Sequence, residues 1–348
     1  MKTSGARRIG LMTGGGDAPG LNGIIEATVR SLADQDIEIV GICDGFEGIF
    51  ERRTVSLDSE KVLNAHTFAG TLLGSSNKGS TKGREAEFLK AFADLKLEGL
   101  IAAGGDGTFE GLSRVIQGLK LIGVPKTIDN DLQGTDVTFG FDTACAVVAE
   151  AVDALRATAD AHRRVFVVEA MGRTTGWIAL GGGLASYADA ILVPERPISR
   201  DALKKHLIGL QALKRRGAMI VVGEGAHFEN ESPRIAFRVE GSMQAERFGG
   251  VSQDIARWIE KETGWEARNV VLGHLQRSRH PTTTDRFMTA AMGVEVGRMV
   301  QENDWGKAVV MRNGNIARAP LSDLMKPPRL IDGNHRWVKV AQSMGIFI

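Results

Sequence analysis

Within the segment Pro125-Lys126-Thr127-Ile128-Asp129-Asn130-Asp131, two carboxylates and a lysine follow a short apolar run. A carboxylate so placed can take a proton from a hydroxyl while the ammonium holds phosphate charge, which is the chemistry of phosphoryl transfer. An acidic turn alone is most often a solvated loop, because Asp and Asn bond readily to their own backbone. Its neighbours alter that balance: Gly104-Gly105-Asp106-Gly107-Thr108 lies upstream and Met171-Gly172-Arg173 downstream. Together these segments point to a phosphoryl-transfer site.

Short apolar runs alternate with amphipathic stretches almost from end to end, the pattern of parallel strands joined by helices. Ile9 to Thr13 reads as a buried first strand, Gly14 to Asp17 as a glycine loop, and Leu21, Ile24, Ile25, Thr28 and Leu32 as one face of a helix. The unit recurs: Gly99 to Ala103 as strand, Gly104 to Gly107 as turn, Phe109 to Gln117 as helix, then Leu121 to Val124 as strand. Both glycine turns are expected at the same sheet edge. A long helix from Phe141 opens a second set of strands at Arg164 to Glu169, Ala190 to Val193, Ala218 to Val222, Asn269 to Leu272 and Ala308 to Met311. Helices are expected at Arg200 to Arg215, Gln253 to Thr263 and Thr283 to Glu302, and polar Glu229 to Arg234 reads as a surface loop. The fold class is α/β: two doubly wound, largely parallel-sheet domains with the active site in the cleft between them. The expected division is 1–140 plus about 278–320 for the phosphoryl-donor (nucleotide) domain, and 141–277 plus about 321–348 for the sugar-phosphate domain.

At 348 residues with 43% hydrophobic side chains, the chain can fill the cores of two domains of ordinary size. The net charge of +1 gives no reason to invoke nucleic acid or an anionic membrane surface, so cations for an anionic ligand must be local. Cys43 and Cys145 lack metal-ligand spacing and read as buried thiols in a reducing compartment. No apolar run approaches bilayer length and the N-terminus has no signal-peptide core, so a cytoplasmic protein is expected. Each glycine turn leads into a helix, where backbone N–H groups and the helix dipole favour anions. The first turn lacks the dinucleotide-binding spacing and neither ends in the Gly-Lys-Ser/Thr of a Walker loop, which disfavours Rossmann dehydrogenases and P-loop enzymes.

Gly15-Gly16-Asp17-Ala18-Pro19-Gly20-Leu21-Asn22, Gly104 to Thr108, Thr127 to Asp131, Met171 to Arg173 and Gly273-His274-Leu275-Gln276-Arg277 occur in the order found in the bacterial-type 6-phosphofructokinase family, which the chain resembles over roughly residues 8–315. Lipid and NAD kinases share the Gly-Gly-Asp-Gly-Thr element but lack the later segments. The resemblance implies transfer of the ATP γ-phosphoryl group to the 1-hydroxyl of fructose 6-phosphate. It implies Asp129 as the general base, framed by Thr127 and Asp131, with Asp106 near a Mg²⁺ ion and Arg173 as transition-state cation. Met171, Gly172, Glu224, His274 and Arg277 are implied sugar-phosphate contacts; Arg164 and Arg268 are implied to reach that phosphate across a subunit interface, in a homodimer or homotetramer with shared sites. Gly15, Gly16, Lys78, Gly105, Gly107, Thr108 and Lys126 are the nucleotide contacts so implied. Guanidinium forks suit a phosphate dianion, and a divalent ion neutralises charge that builds during transfer.

The chain departs from the family pattern at several places. Gly14 stands where serine is usual, Asn77 where many members place an arginine that Lys78 could replace, and Ser278-Arg279-His280 where two glycines usually follow Arg277, putting bulk and charge near the sugar-phosphate pocket. Arg30, Arg53, Arg156 and Arg215 match a basic effector cluster, but Glu26 falls where an arginine is expected, which reverses the local electrostatics facing a diphosphate. The donor vote is split: pyrophosphate-dependent relatives usually carry aspartate at the place of Gly107 and lysine at that of Lys126. Gly107 carries more weight, because a missing side chain leaves the room ATP needs. A pyrophosphate-dependent enzyme and a non-catalytic regulatory subunit stay open as alternatives.

Overall fold

The computed structural model describes residues 6–76, 80–239 and 245–348, and Lys78 and Asn77 lie outside the described residues. Strands β1 (Arg7–Thr13), β2 (Ile37–Ile42), β3 (Thr54–Leu57), β4 (Gly99–Gly104) and β5 (Leu121–Pro125) precede the long Phe141–His162 helix. After it come β6 (Val165–Ala170), β7 (Ala190–Leu192), β8 (Ala218–Gly223), β9 (Ile235–Arg238), β10 (Glu246–Phe248), β11 (Ala267–Val271), β12 (Lys307–Arg312) and β13 (Asn315–Pro320). One seven-stranded sheet runs β13-β12-β5-β4-β1-β2-β3 and a four-stranded sheet runs β11-β6-β8-β7. The interior pairings of the larger sheet are parallel and only its outer strands β3 and β13 run antiparallel, while the smaller sheet is parallel throughout.

β4, β6 and β8 are buried along their whole length, which is why they read as unbroken apolar runs: helices cover both faces of each sheet. On one face of the larger sheet, Ile9, Leu11 and Ile101 pack with Leu21, Ile25, Met292 and Val296 of the Leu21–Ser31 and Thr283–Glu302 helices. Phe88, Phe109 and Leu112 fill the other face. The two covering helices approach closely because a Cβ on Gly293 would lie 2.5 Å from that of Ala27, so only glycine fits.

The glycine turn after β4 is itself helical: the helix there spans Asp106–Ser113 with Gly105 as its N-cap, rather than Phe109 to Gln117. Sequence periodicity misplaced it because the apolar stripe begins only at Phe109, whereas the first turn is made of Asp106, Gly107 and Thr108. Past Glu229–Arg234 the chain forms an antiparallel hairpin, β9 with β10, which the alternation of apolar runs did not reveal because both strands are short and open to solvent. No helix among the described residues is long and apolar enough to cross a membrane.

Candidate active site

A cleft of about 550 Å³ opens where the carboxyl ends of β1, β4, β5 and β6 face each other across the two sheets. From the larger sheet come Gly15 and Gly16 after β1, Gly105, Asp106, Gly107 and Thr108 after β4, and Lys126, Thr127 and Asp129 after β5. From the smaller come Met171 and Arg173 after β6, Glu224 after β8, and His274 and Arg277 after β11. Every one of these strands ends in the cleft, so one topological rule gathers residues more than 250 positions apart.

The donor end is built on backbone. Gly15 sits at φ 77°, a left-handed conformation that side chains rarely adopt, and Ser75 Oγ donates to its carbonyl. The Asp106–Ser113 helix aims its N-terminus into the cleft, and Asp106 Oδ1 accepts the Gly107 N–H at 2.7 Å. Gly14 and Thr108 are matched: a Cβ on Gly14 would lie 2.7 Å from Thr108 Oγ1, so the threonine occupies the space that a side chain at position 14 would need. Lys126 is buried, its Nζ donates to the Gly16 carbonyl, and burial with the nearby Arg277 charge lowers it to about 8.

The acidic loop is held by its own hydrogen bonds. Asp129 N–H donates to Thr127 Oγ1 at 3.1 Å, Thr138 Oγ1 to the Thr127 carbonyl at 2.7 Å, and Thr138 N–H to Asn130 Oδ1 at 3.0 Å. Asn130 is left-handed at φ 54°, a conformation that asparagine tolerates. Asp129 lines the cleft and is buried, and its Oδ1 has no hydrogen-bond partner among the described residues, so one buried acceptor is left unspent. Burial, with repulsion from Asp106, raises the Asp129 carboxyl despite the Arg277 and Arg173 guanidiniums. Asp131 is raised by burial and by Asp129, but it lies behind the loop rather than on the cleft wall.

On the acceptor side Arg173 is left-handed at φ 53°, and its N–H donates to Glu224 Oε1 at 2.9 Å. Burial raises Glu224 to about 7. Gln276, which is buried, accepts the Met171 N–H at 3.3 Å and so ties the β6 turn to the Leu275–Ser278 turn carrying Arg277. Arg277 reaches back towards Asp17 at 3.7 Å, spanning the cleft between the two sheets.

Several expected residues stand elsewhere. Gly172 shapes the turn at φ 136° without lining the cleft. Arg164 and Arg268 do not line the cleft of their own chain; both pair with Glu266 on the outer side of the smaller sheet. Ser278, Arg279 and His280 turn away from the sugar side: Ser278 bonds to the Leu275 carbonyl, Arg279 pairs with Glu150, and His280 meets the Thr67 carbonyl at 2.7 Å. Their bulk therefore does not enter the pocket. Glu26 is buried, its carboxylate being taken up by His66 at 2.7 Å and Arg30 at 3.1 Å. Arg156 and Arg215 line a second cavity of about 580 Å³, which Arg30 and Arg53 do not reach. The sequence reading missed the hairpin, whose Phe237, Arg247 and Phe248 form one wall of the cleft.

Asp106 and Asp129 bring carboxylates to the cleft, and no group of three or more His, Cys, Asp or Glu side chains among the described residues forms a metal cage. That donor set fits a hard divalent cation completed by phosphate oxygens and water. The parallel α/β sheets and a cleft of glycine turns, buried carboxylates and arginines define a phosphoryl-transfer enzyme. The Phosphofructokinase family model matches residues 8–300, and the chain belongs to that family. An ATP-dependent 6-phosphofructokinase of Chloroflexus aurantiacus is 39% identical, the match covering 98% of this chain and 97% of that protein. A pyrophosphate--fructose 6-phosphate 1-phosphotransferase of Streptomyces coelicolor is 38% identical over 93% of this chain and 96% of its own length. The Saccharomyces cerevisiae phosphofructokinase structure superposes with a TM-score of 0.80 at 26% identity, covering 97% of this chain and 46% of the yeast chain.

Proposed function

We propose that the cleft transfers the γ-phosphoryl group of ATP to the 1-hydroxyl of fructose 6-phosphate, with Asp129 as general base. The observation that carries this reading is the buried, unpartnered Oδ1 of Asp129 in one cleft with Arg173 and the Asp106–Ser113 helix N-terminus. The enzyme is an ATP-dependent glycolytic phosphotransferase with an alcohol acceptor. Asp129 takes the hydroxyl proton as the oxygen attacks. Arg173 neutralises charge on the transferring group, while the Gly15–Gly16 turn, the Gly105–Thr108 turn and Lys126 hold the remaining phosphates. Asp106 would hold Mg²⁺, whose positive charge would offset the negative charge of the donor phosphates.

Glu224, His274 and Arg277 bind the sugar phosphate, with Met171 and Gly172 shaping the turn beneath it. Arg164 and Arg268 complete that site in a neighbouring copy, within a cytoplasmic homodimer or homotetramer. Lys126 in the donor end favours a second reading, with pyrophosphate as donor. Gly107 at the helix N-terminus favours ATP, since it adds no side chain there. A coupled assay with ATP and pyrophosphate side by side and fructose 6-phosphate as acceptor tests the assignment: turnover with pyrophosphate alone selects the second reading, and turnover with neither donor rejects both.

A further inference from the structure

The catalytic loop and the Arg173 turn belong to different sheets, so something must keep their relative position. Each is tied to the same short strap, residues 329–331, which connects the Leu321–Met325 turn of helix with the last helix, Arg336–Ser343. Arg329 clasps the back of the acidic loop. Its Nη2 donates to the Asn130 carbonyl at 2.8 Å, and its Nη1 to the carbonyls of Asp136 at 3.0 Å and Thr135 at 3.3 Å. Its main-chain N–H donates to the Asp131 carbonyl at 2.6 Å.

The same residue holds the other side. Trp177, the first residue of the helix that follows Arg173, donates Nε1–H to the Arg329 carbonyl at 2.7 Å, and the guanidinium lies 4.7 Å from the Trp177 ring centroid. Two positions on, the Ile331 N–H donates to Glu195 at 3.1 Å, and the same carboxylate accepts the Gly176 N–H at 3.0 Å. The Gly172 carbonyl in turn accepts from Thr175 N–H at 2.9 Å. Hydrogen bonds, joined by the short stretches of main chain at 329–331 and 175–177, therefore link Asn130 and Asp131 through Arg329 to Trp177 and the turn bearing Arg173.

We propose that Arg329 is a positioning residue that locks the Asp129 loop to the Arg173 turn, so that base and transition-state cation keep one geometry. It touches neither reacting group. Its planar fork reaches three carbonyls at once, which a lysine ammonium on a single flexible stem does not reproduce. Displacement of a catalytic group by about 1 Å costs on the order of 10²-fold in rate. The proposal rests on the roles given to Asp129 and Arg173 above.

The test compares Arg329→Gln, Arg329→Lys and Trp177→Phe with wild type, by steady-state kinetics with ATP and fructose 6-phosphate and by amide hydrogen exchange. In Arg329→Gln, kcat is expected to fall about 10–100-fold, with KM for both substrates within about threefold, because the pockets remain while the geometry between them loosens. Exchange is expected to quicken at 129–136 and at 171–177 together. Arg329→Lys should recover less than half of the loss. Trp177→Phe keeps an aromatic ring but removes the Nε1 donor together with part of the buried indole, so a smaller fall in kcat with faster exchange at both segments is expected, and it decides the matter if Arg329→Gln does not fold. A kcat within twofold of wild type, or a fall in kcat without faster exchange at both segments, overturns the proposal. If the wild-type protein turns over neither donor, the functional reading fails, and the coupled exchange alone decides the linkage between loop and turn.

Discussion

The Asp129 main chain donates to Thr127 Oγ1 at 3.1 Å, so the threonine hydroxyl is committed to the turn that presents the base. Thr127 thereby supports the turn, and its hydroxyl hydrogen is left to donate within the cleft. The unpartnered Asp129 Oδ1 is left for the substrate hydroxyl. Asp129→Asn should lower kcat by about 10²–10⁴-fold with KM nearly unchanged, measured by steady-state kinetics. Near-normal turnover would remove Asp129 from its role.

The donor preference is testable at one position. Gly107→Asp places a carboxylate at the donor end of the cleft, where bulk and like charge oppose the α-phosphate of ATP. Activity with ATP should weaken while activity with pyrophosphate survives or rises. Unchanged ATP kinetics would show that Gly107 does not set the donor.

Lys126 supplies a pH dependence with a definite sign. Its ammonium is held to about 8 by burial, so charge at the donor site is present at neutral pH and lost as pH rises through that value. kcat/KM for the donor, which reports the free enzyme, should decline on the alkaline side of about 8. Lys126→Met should be weak in donor binding at pH 7 and lack that decline; an identical alkaline limb in the variant would assign it to another group.

Arg164 and Arg268 pair with Glu266 away from their own cleft, and the proposed role in another copy's site is testable. Mixing inactive Asp129→Asn with inactive Arg164→Ala/Arg268→Ala should restore partial activity once subunits exchange, because some hybrid sites take base and arginines from different wild-type chains. A fully active monomer by light scattering, or no recovery in proven hybrids, would dismiss shared sites.

Asp285 holds the entry to the long helix that follows the catalytic loop. Its carboxylate accepts from Gly140 N–H and Thr143 N–H, both at 2.9 Å, and from the Thr143 hydroxyl, while burial raises it to about 6. A carboxyl raised in the folded state binds its proton more tightly there, so its stabilising contribution is full below the unfolded value and lost as pH rises through about 6. Urea unfolding between pH 4 and 7 should show a smaller pH-linked loss in Asp285→Asn, and Asp285→Ala should be less stable by about 2–4 kcal/mol at pH 7 because buried donors are left unpaired. An identical pH slope in wild type and Asp285→Asn would assign the linkage elsewhere.

Glycine turns, the acidic loop and the buried strands were legible in the chain because each depends on neighbours within a few residues. A short apolar run such as Gly99 to Ala103, closed by a glycine turn, reads as a strand buried on both faces, and a turn such as Gly14 to Asp17 needs backbone freedom wherever it lies. The alternation of these units established the parallel α/β class, and their order established the family. Direction in space was not legible. Ser278, Arg279 and His280 adjoin Arg277 in sequence yet point to Leu275, Glu150 and Thr67, because the short Leu275–Ser278 turn rotates successive side chains to different sides. The start of the Asp106 helix escaped detection because its first turn carries no apolar side chain, and the β9–β10 wall because its strands are short. Arg329 lies about two hundred residues from the carbonyls it holds, and nothing local marks it: its partners are main-chain oxygens, identical at every position, and only the folded backbone decides which of them come within reach.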